Sequence, residues 1–150
     1  MQLAVALAHD ADLLILDEPT SGLDPASRRD LLDKVADFMV DEPHAVVFST
    51  HITSDLERIA DYVSVLDSGR LVAHTTRDEL LEGFRSVRGA SGTLDAPTRS
   101  LVRGLREHAH GWDGLMATED TVGLSAGVVV EAPSLEDVVV SYAQREPSHV

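Results

Sequence analysis

The sequence contains no cysteine and few basic residues. Without cysteine, the chain forms no disulfide and offers no thiol nucleophile or thiolate metal ligand. Its 12 lysines and arginines stand against 26 aspartates and glutamates, which gives a formal net charge of −14. Surfaces that bind nucleic acids or anionic lipids need clustered positive charge, so this balance argues against both kinds of partner.

The sequence also lacks an apolar run that approaches the roughly twenty residues of a membrane-spanning helix. The first residues show no basic start followed by an apolar core, as a secretory signal would. Met1 to Ala8 have the pattern of a helix end with no N-cap before it, so we expect the chain to begin inside a structural element. The 150 residues are 43 % hydrophobic, which is enough for a globular fold with a core.

The most informative stretch runs from Leu13 to Pro25. Four apolar residues lead directly into two adjacent carboxylates, Asp17 and Glu18. Such a short run is typical of a strand buried on both faces of a parallel sheet, and α/β proteins bind ligands at the carboxyl edge of such sheets. Because side chains alternate along a strand, the two carboxylates are expected to point differently. Taken alone, Asp-Glu-Pro is more simply a solvated strand end.

A second apolar run, Ala45 to Ser49, predicts another buried strand that ends beside His51. Between the two strands, Asp24 and Pro25 have the order of an N-cap and a first helical residue, and they predict a helix to about Val40. Its buried stripe is expected to contain Leu31, Leu32, Val35, Phe38 and Met39. A short helix is expected from Ser54 to Ala60.

The rest of the chain predicts a hairpin and then a small α+β tail. The hairpin strands are residues 62–66 and 71–74, and a capping box at 76–79 begins a helix that carries Leu80, Leu81, Phe84 and Val87. A linker-like stretch follows at 89–92. In the tail we expect a helix over 97–108, a hairpin around 119–120 and a final helix capped at Ser134.

The run from Leu13 to Pro25 resembles the Walker B strand, catalytic glutamate and D-loop of ATP-binding-cassette (ABC) ATPases. The resemblance covers roughly residues 1–85. It implies an α/β fold: a partial P-loop NTPase (RecA-like) parallel sheet with flanking helices. On this interpretation residues 1–87 are the C-terminal half of the nucleotide-binding domain, and residues 88–150 are a small α+β extension.

The resemblance implies a role for each matching residue. Asp17 corresponds to the aspartate that holds Mg²⁺ through water, and Glu18 to the catalytic glutamate that polarises the attacking water. His51 corresponds to the switch histidine that contacts the γ-phosphate. Ser21, Gly22 and Asp24 belong to the D-loop, which contacts the opposite subunit of the ATP-bound dimer, and they are assigned to the nucleotide site.

Other family motifs are missing from this sequence. The phosphate loop G-x-x-x-x-G-K-[ST] needs a lysine, and Lys34 has no glycine-rich segment before it. The Q-loop and the signature motif are also not found. We therefore expect ATP and Mg²⁺ to bind only together with an N-terminal half, and the 150-residue chain alone to be inactive.

The implied function is that of an ATPase subunit of a bacterial ABC transporter. Its expected partners are a transmembrane permease and a second nucleotide-binding domain, with no nucleic acid. Its expected location is cytoplasmic, at the inner face of the cell membrane. The segment from Ser134 to Val138 resembles the C-terminal extension of ABC-2-type exporter ATPases. Two alternatives stay open: a catalytically inactive remnant or interaction module, and, disfavoured by charge and D-loop type, a soluble ABC ATPase of translation or DNA repair.

Overall fold

The computed structural model describes residues 11–40 and 44–143. The chain combines one parallel strand pair with antiparallel sheets and helices, as expected for the α/β class. It divides into two compact units, Met1–Ile59 and Ala60–Val150. The helix predicted over Met1 to Ala8 lies outside the described residues.

The first unit contains the two predicted strands and the two predicted helices. Strands β1 (Leu13–Asp17) and β2 (Ala45–Ser49) pair in parallel over their full lengths. Helix α1 (Pro25–Val40) connects them, and helix α2 (Thr53–Ile59) follows β2. The order strand–helix–strand–helix therefore confirms the sequence interpretation of this region.

The prediction that these strands are buried on both faces is wrong. Leu14 is only 3 % exposed, whereas Ile15 is 74 % and Val47 is 56 % exposed. Ile15 and Val47 are paired residues in the parallel register and share a face. Since alternate side chains point to opposite faces, the face that carries Leu14 is covered and the face that carries Ile15 and Val47 is open.

Helix α1 begins as its sequence predicts. The carboxylate Oδ1 of Asp24 accepts hydrogen bonds from the backbone amides of Ala26 (3.0 Å) and Ser27 (3.1 Å). These bonds satisfy amides that have no partner within the helix. Leu32 and Val35 are buried, and the other predicted stripe residues are half-buried, so the apolar stripe is also confirmed.

The second unit opens with the predicted hairpin. Strands β3 (Tyr62–Asp67) and β4 (Arg70–Thr76) are antiparallel. Helix α3 (Arg77–Glu82) then begins with the predicted capping box, in which Thr76 accepts from the Glu79 amide and Glu79 accepts from the Thr76 amide.

Helix α3 is shorter than predicted. It ends at Glu82, and strand β5 (Phe84–Ala90) follows, so the helical assignment of Phe84 and Val87 is wrong. The spacing of these two apolar residues fits a helix, but pairing with β7 (Gly111–Ala117) along the whole strand selects the extended form. The predicted boundary between residues 87 and 88 falls within β5; the assignment of residues 1–87 and 88–150 to two domains stays a prediction.

The predicted helix over 97–108 and the hairpin around 119–120 are wrong as well. Helix α4 covers only Ala96–Leu101, and strand β6 (Arg103–His108) forms the hairpin with β7. Residues Thr118–Thr121 form a 3₁₀ turn instead. Strands β6, β7, β5 and β8 (Val129–Glu131) build a four-stranded antiparallel sheet in that order.

The core of this sheet is formed by Val87, Trp112 and Met116, each no more than 2 % exposed. Helix α5 (Leu135–Ala143) begins as predicted, since the Asp137 amide donates to Ser134 Oγ at 3.1 Å. Leu135 and Val138 on this helix are fully buried. Among the residues that the structure describes, no helix is long and apolar enough to cross a membrane.

Candidate functional site

The parallel strands β1 and β2 place the predicted site residues at one edge of their sheet. Asp17 and Ser49 are paired residues at the carboxyl ends of the two strands. The Ser49 hydroxyl donates a hydrogen bond to Asp17 Oδ1. The aspartate carboxylate is therefore oriented by the neighbouring strand while it stays exposed.

Glu18 leaves the strand through a change in backbone direction. Its φ of 46° lies in the left-handed region, which is uncommon for a residue other than glycine. Its amide still donates to the Ser49 carbonyl at 2.8 Å, which anchors the turn to β2. Asp17 and Glu18 consequently have different partners, as the alternation along a strand predicts.

The Glu18 carboxylate contacts His51 through two groups of that residue. The His51 amide donates to Glu18 Oε1 at 3.0 Å, and His51 Nδ1 lies 2.9 Å from the same oxygen. Because an ionised carboxylate only accepts hydrogen bonds, Nδ1 carries the proton in this contact and Nε2 is left for another group. The side chains are 37 % exposed for Glu18 and 75 % for His51, so solvent reaches both.

A backbone hydrogen bond and a glycine determine the conformation of the loop after Glu18. The Ser21 amide donates to the Glu18 carbonyl at 3.1 Å, and Gly22 has a φ of 74°, which suits glycine. Ser21 and Gly22 are exposed. Asp24 is engaged at the start of α1, where hydrogen bonds from the Ser27 hydroxyl and amide lower the pKa of its carboxyl. The structure thus joins Glu18 to His51, whereas Asp24 holds the helix.

Sequence reasoning missed a buried polar cluster beside this site. Thr20 Oγ1 donates to Asp55 Oδ2 at 2.7 Å, and Arg28 Nε donates to Asp55 Oδ1 at 2.6 Å. Thr20 and Asp55 are only 1 % and 2 % exposed. The sequence offered one signal for this cluster, an aspartate near a predicted helix start. That signal is ambiguous, because aspartates are also common at ordinary helix N-termini.

Among the described residues, the site offers few side chains that could bind a metal ion. Within residues 11–40 and 44–143, no three histidine, aspartate or glutamate side chains converge on a common point. Asp17 stands at an exposed strand end with a single oriented carboxylate. Mg²⁺ is held in proteins by one or two carboxylates together with waters and substrate phosphates, so this residue suits a water-mediated contact to that ion.

Comparison with known proteins adds independent information. No family model matches the chain. It is 39 % identical over 158 aligned residues to the daunorubicin resistance ATP-binding protein DrrA3 of Streptomyces coeruleorubidus, covering 92 % of this chain and 50 % of that protein. It is 37 % identical over 119 residues to the energy-coupling factor transporter ATP-binding protein EcfA of Methanoculleus marisnigri, covering 79 % and 42 %.

The ABC transporter ATP-binding protein all4389 of Nostoc sp. is 28 % identical over 155 residues, covering 96 % of this chain and 46 % of that protein. The chain thus spans half or less of the length of these three relatives. These relatives are ABC transporter ATP-binding proteins, and homology to them implies the P-loop NTPase fold for the first unit. The parallel strands of that unit agree with this fold. The motif run from Leu13 to Pro25, the joined strand ends and this similarity lead to one conclusion: the chain is a homologue of ABC transporter ATP-binding proteins and matches up to half of their length.

Proposed function

We propose that this chain supplies the catalytic-glutamate half of an ATP-hydrolysing transporter subunit. The contact between Glu18 and His51 carries the proposal, because it sets a carboxylate and an imidazole side by side at the carboxyl edge of a parallel sheet. Phosphoryl transfer needs positioning of the nucleophile and compensation of charge more than covalent chemistry. A carboxylate for the water and a ring nitrogen for the phosphate meet those needs.

Each residue has a defined task in this proposal. Glu18 orients and polarises the attacking water. His51 donates from Nε2 to the γ-phosphate of ATP, a role in which both ring nitrogens carry a proton because Nδ1 donates to Glu18. Asp17, whose carboxylate is oriented by Ser49, would hold Mg²⁺ through water. When bound, Mg²⁺ supplies charge neutralisation at the phosphate oxygens.

The loop of Ser21, Gly22 and Asp24 is proposed to face a second nucleotide-binding domain. Ser21 and Gly22 are exposed, and the apolar Leu23 beside them is 40 % exposed. A transmembrane permease is the other proposed partner, which would hold the protein on the cytoplasmic face of the membrane. The similarity to DrrA3 extends over 92 % of the chain and so includes most of the tail, and the proposal of an exporter-type subunit comes from the resemblance of Ser134 to Val138 to the ABC-2-type extension.

A second candidate is a catalytically inactive interaction module. Within these 150 residues the single lysine, Lys34, lies in helix α1 without a glycine-rich segment before it, so these residues do not themselves supply a phosphate loop. In that case the Glu18–His51 pair would be retained without turnover.

The two candidates are separated with a fusion protein. In it, the chain is joined to the half of DrrA3 that it does not cover, which is expected to carry the phosphate loop. Mg²⁺-dependent ATP hydrolysis by the fusion protein, well above that of the DrrA3 half alone, supports the first candidate. Turnover no higher than that of the DrrA3 half alone supports the interaction module.

A further inference from the structure

The Asp55 cluster is defined as Thr20, Arg28, Ser54 and Asp55. Thr20 and Asp55 are buried, Arg28 is partly buried and Ser54 is exposed. Both carboxylate oxygens of Asp55 accept hydrogen bonds, from Thr20 Oγ1 at 2.7 Å and from Arg28 Nε at 2.6 Å. Arg28 Nη2 also donates to Ser54 Oγ at 3.0 Å. The cluster therefore joins the loop after β1, the first turns of α1 and the start of α2.

Burial makes this cluster stiff. A carboxylate removed from water is costly unless it is paired and hydrogen-bonded, and Asp55 is only 2 % exposed. Each donor that is lost leaves a buried oxygen without a partner, which costs more than a surface hydrogen bond contributes. The arrangement of Thr20 and Arg28 around Asp55 is thus strongly preferred over looser ones.

The contact between Glu18 and His51 has no such protection. With the side chains 37 % and 75 % exposed, it resembles the surface pairs that contribute little to stability and that salt weakens. Such a contact does not hold two loops in place by itself. The bond from the Glu18 amide to the Ser49 carbonyl (2.8 Å) joins the two loops where they leave the strands, and a further connection beyond Glu18 and His51 is needed to fix the other side.

The Asp55 cluster is that connection. Thr20 lies two residues after Glu18, and Asp55 lies four residues after His51. The backbone bonds Ser21 N to Glu18 O (3.1 Å) and Asp55 N to Ile52 O (3.1 Å) keep both segments tightly turned. The Thr20–Asp55 bond therefore closes a short ring that has the Glu18–His51 contact on its other side.

We infer that Asp55 is a positioning residue that acts through Thr20 to set the Glu18–His51 geometry. That this geometry serves ATP hydrolysis rests on the proposed function; that Asp55 sets it does not. The inference is accordingly tested first on the geometry and then on the turnover.

The first test measures hydrogen exchange at the His51 amide, which is bonded to Glu18 Oε1. Thr20→Val keeps the shape of the side chain but removes the donor to Asp55. In the 150-residue chain it should raise the His51 exchange rate about tenfold, the effect of one hydrogen bond of ordinary strength. Thr20→Ser restores the hydroxyl and should return the rate to the wild-type value, while the β1–β2 amides stay unchanged in both variants.

Asp33→Asn is the matched control. Asp33 on α1 pairs with Arg58 on α2 at 2.5 Å, so it joins the same two helices without touching either loop. If the cluster mattered only because it packs α1 against α2, Asp33→Asn would raise the His51 rate as much as Thr20→Val. That result, or a wild-type His51 rate in Thr20→Val, would overturn the inference.

A milder variant is used if Thr20→Val unfolds the unit, which would also raise the exchange rates of the β1–β2 amides. Arg28→Lys keeps the positive charge but lacks the geometry to donate to both Asp55 and Ser54. It should raise the His51 rate by less than tenfold with the β1–β2 amides unchanged. An unchanged His51 rate in this variant would then refute the positioning role.

The second test uses the fusion protein. Thr20→Val should lower kcat about tenfold with KM for ATP within about twofold, because an effect on the reacting geometry alone appears in kcat. Thr20→Ser should restore kcat. Equal kcat in Thr20→Val and wild type would overturn the inference. A fusion protein without any turnover would count against the proposed function alone, and the His51 exchange rates would then decide the inference.

Discussion

His51 binds one carboxylate oxygen of Glu18 with both its backbone and its ring. The amide nitrogen lies 3.0 Å and Nδ1 lies 2.9 Å from Glu18 Oε1. The other oxygen, Oε2, accepts a longer hydrogen bond from the hydroxyl of Thr50, at 3.4 Å. The contacts of Oε1 with His51 thus orient the Glu18 carboxylate, and Oε2 is available to a water molecule.

The first prediction concerns the carboxylate itself. In the fusion protein, Glu18→Gln should lower ATP turnover at least about a hundredfold while ATP binding is kept, because the amide retains the shape but is a poor base. Steady-state hydrolysis and equilibrium nucleotide binding measure the two properties.

Glu119→Gln is the control for this charge change, since Glu119 is an exposed residue of the 3₁₀ turn in the second unit. It should leave turnover unaltered. Hydrolysis at the wild-type rate in Glu18→Gln would show that the glutamate has no catalytic role.

The second prediction concerns the ring of His51. His51→Ala in the fusion protein should lower turnover about a hundredfold, the usual effect of removing one donor to developing charge. Nucleotide affinity should change little. His110→Ala removes an exposed histidine from the β6–β7 connection and serves as the control. Comparable turnover in the two alanine variants would show that His51 has no catalytic role.

The third prediction concerns nucleotide binding by the 150-residue chain. Affinity for a triphosphate in this family is expected from backbone amides and a lysine around the phosphates, whereas this site offers Asp17 and Glu18, which repel them. Calorimetric titration with Mg-ATP should show no binding at micromolar concentrations, and no hydrolysis should be detected. Measurable turnover would contradict the role given to the missing phosphate loop.

The fourth prediction follows from the open face of the β1–β2 sheet. With Ile15 74 % and Val47 56 % exposed, the 150-residue chain should self-associate through this face. In light scattering after size-exclusion chromatography, the double variant Ile15→Thr and Val47→Thr should shift towards the monomer. Val122→Thr is the control, because Val122 is 88 % exposed but lies in the second unit. A wild-type monomer would refute the prediction.

The fifth prediction concerns acid stability of the second unit. Hydrogen bonds from the side chains of Thr75 and Thr76, and from the Thr76 amide, hold the pKa of Glu79 below its ordinary value of 4.5. Because the folded-state pKa is the lower one, this contribution to stability is fully present above about pH 4.5. It is lost as the pH falls through the folded-state pKa.

Urea unfolding of wild type and Glu79→Gln tests this direction. The stability difference between them should be larger near pH 7 than near pH 3. Thr75→Val removes the largest cause of the lowered pKa, so in its background the pH dependence of the Glu79→Gln effect should shrink. An equal difference at both pH values would contradict the assignment.

Much of the first unit was predictable from local sequence. The apolar runs before Asp17 and before His51 mark β1 and β2, and Asp24 with Pro25 marks the start of α1. Since parallel strands end at a common edge, the meeting of Glu18 and His51 followed from the same pattern. Local signals succeed here because each element is long enough, or capped clearly enough, for its sequence to predict a single type of secondary structure.

The second unit shows where local signals fail. Phe84 and Val87 are spaced as on a helix face, yet both belong to β5. The residues from Arg103 to His108 carry no strong strand pattern, yet they pair with β7. Short segments with ambiguous periodicity take the conformation that their pairing partner imposes, and that partner is distant in sequence.

The sequence by itself determined the chemistry of the strand ends: two carboxylates after one apolar run, a histidine after another, and no cradle for phosphates. Only the tertiary structure decided that Asp55 lies buried between Thr20 and Arg28. Thr20 and Asp55 are 35 residues apart along the chain. A buried hydrogen bond depends on a position in space that packing of strands and helices creates, whereas a motif depends only on the order of neighbouring residues.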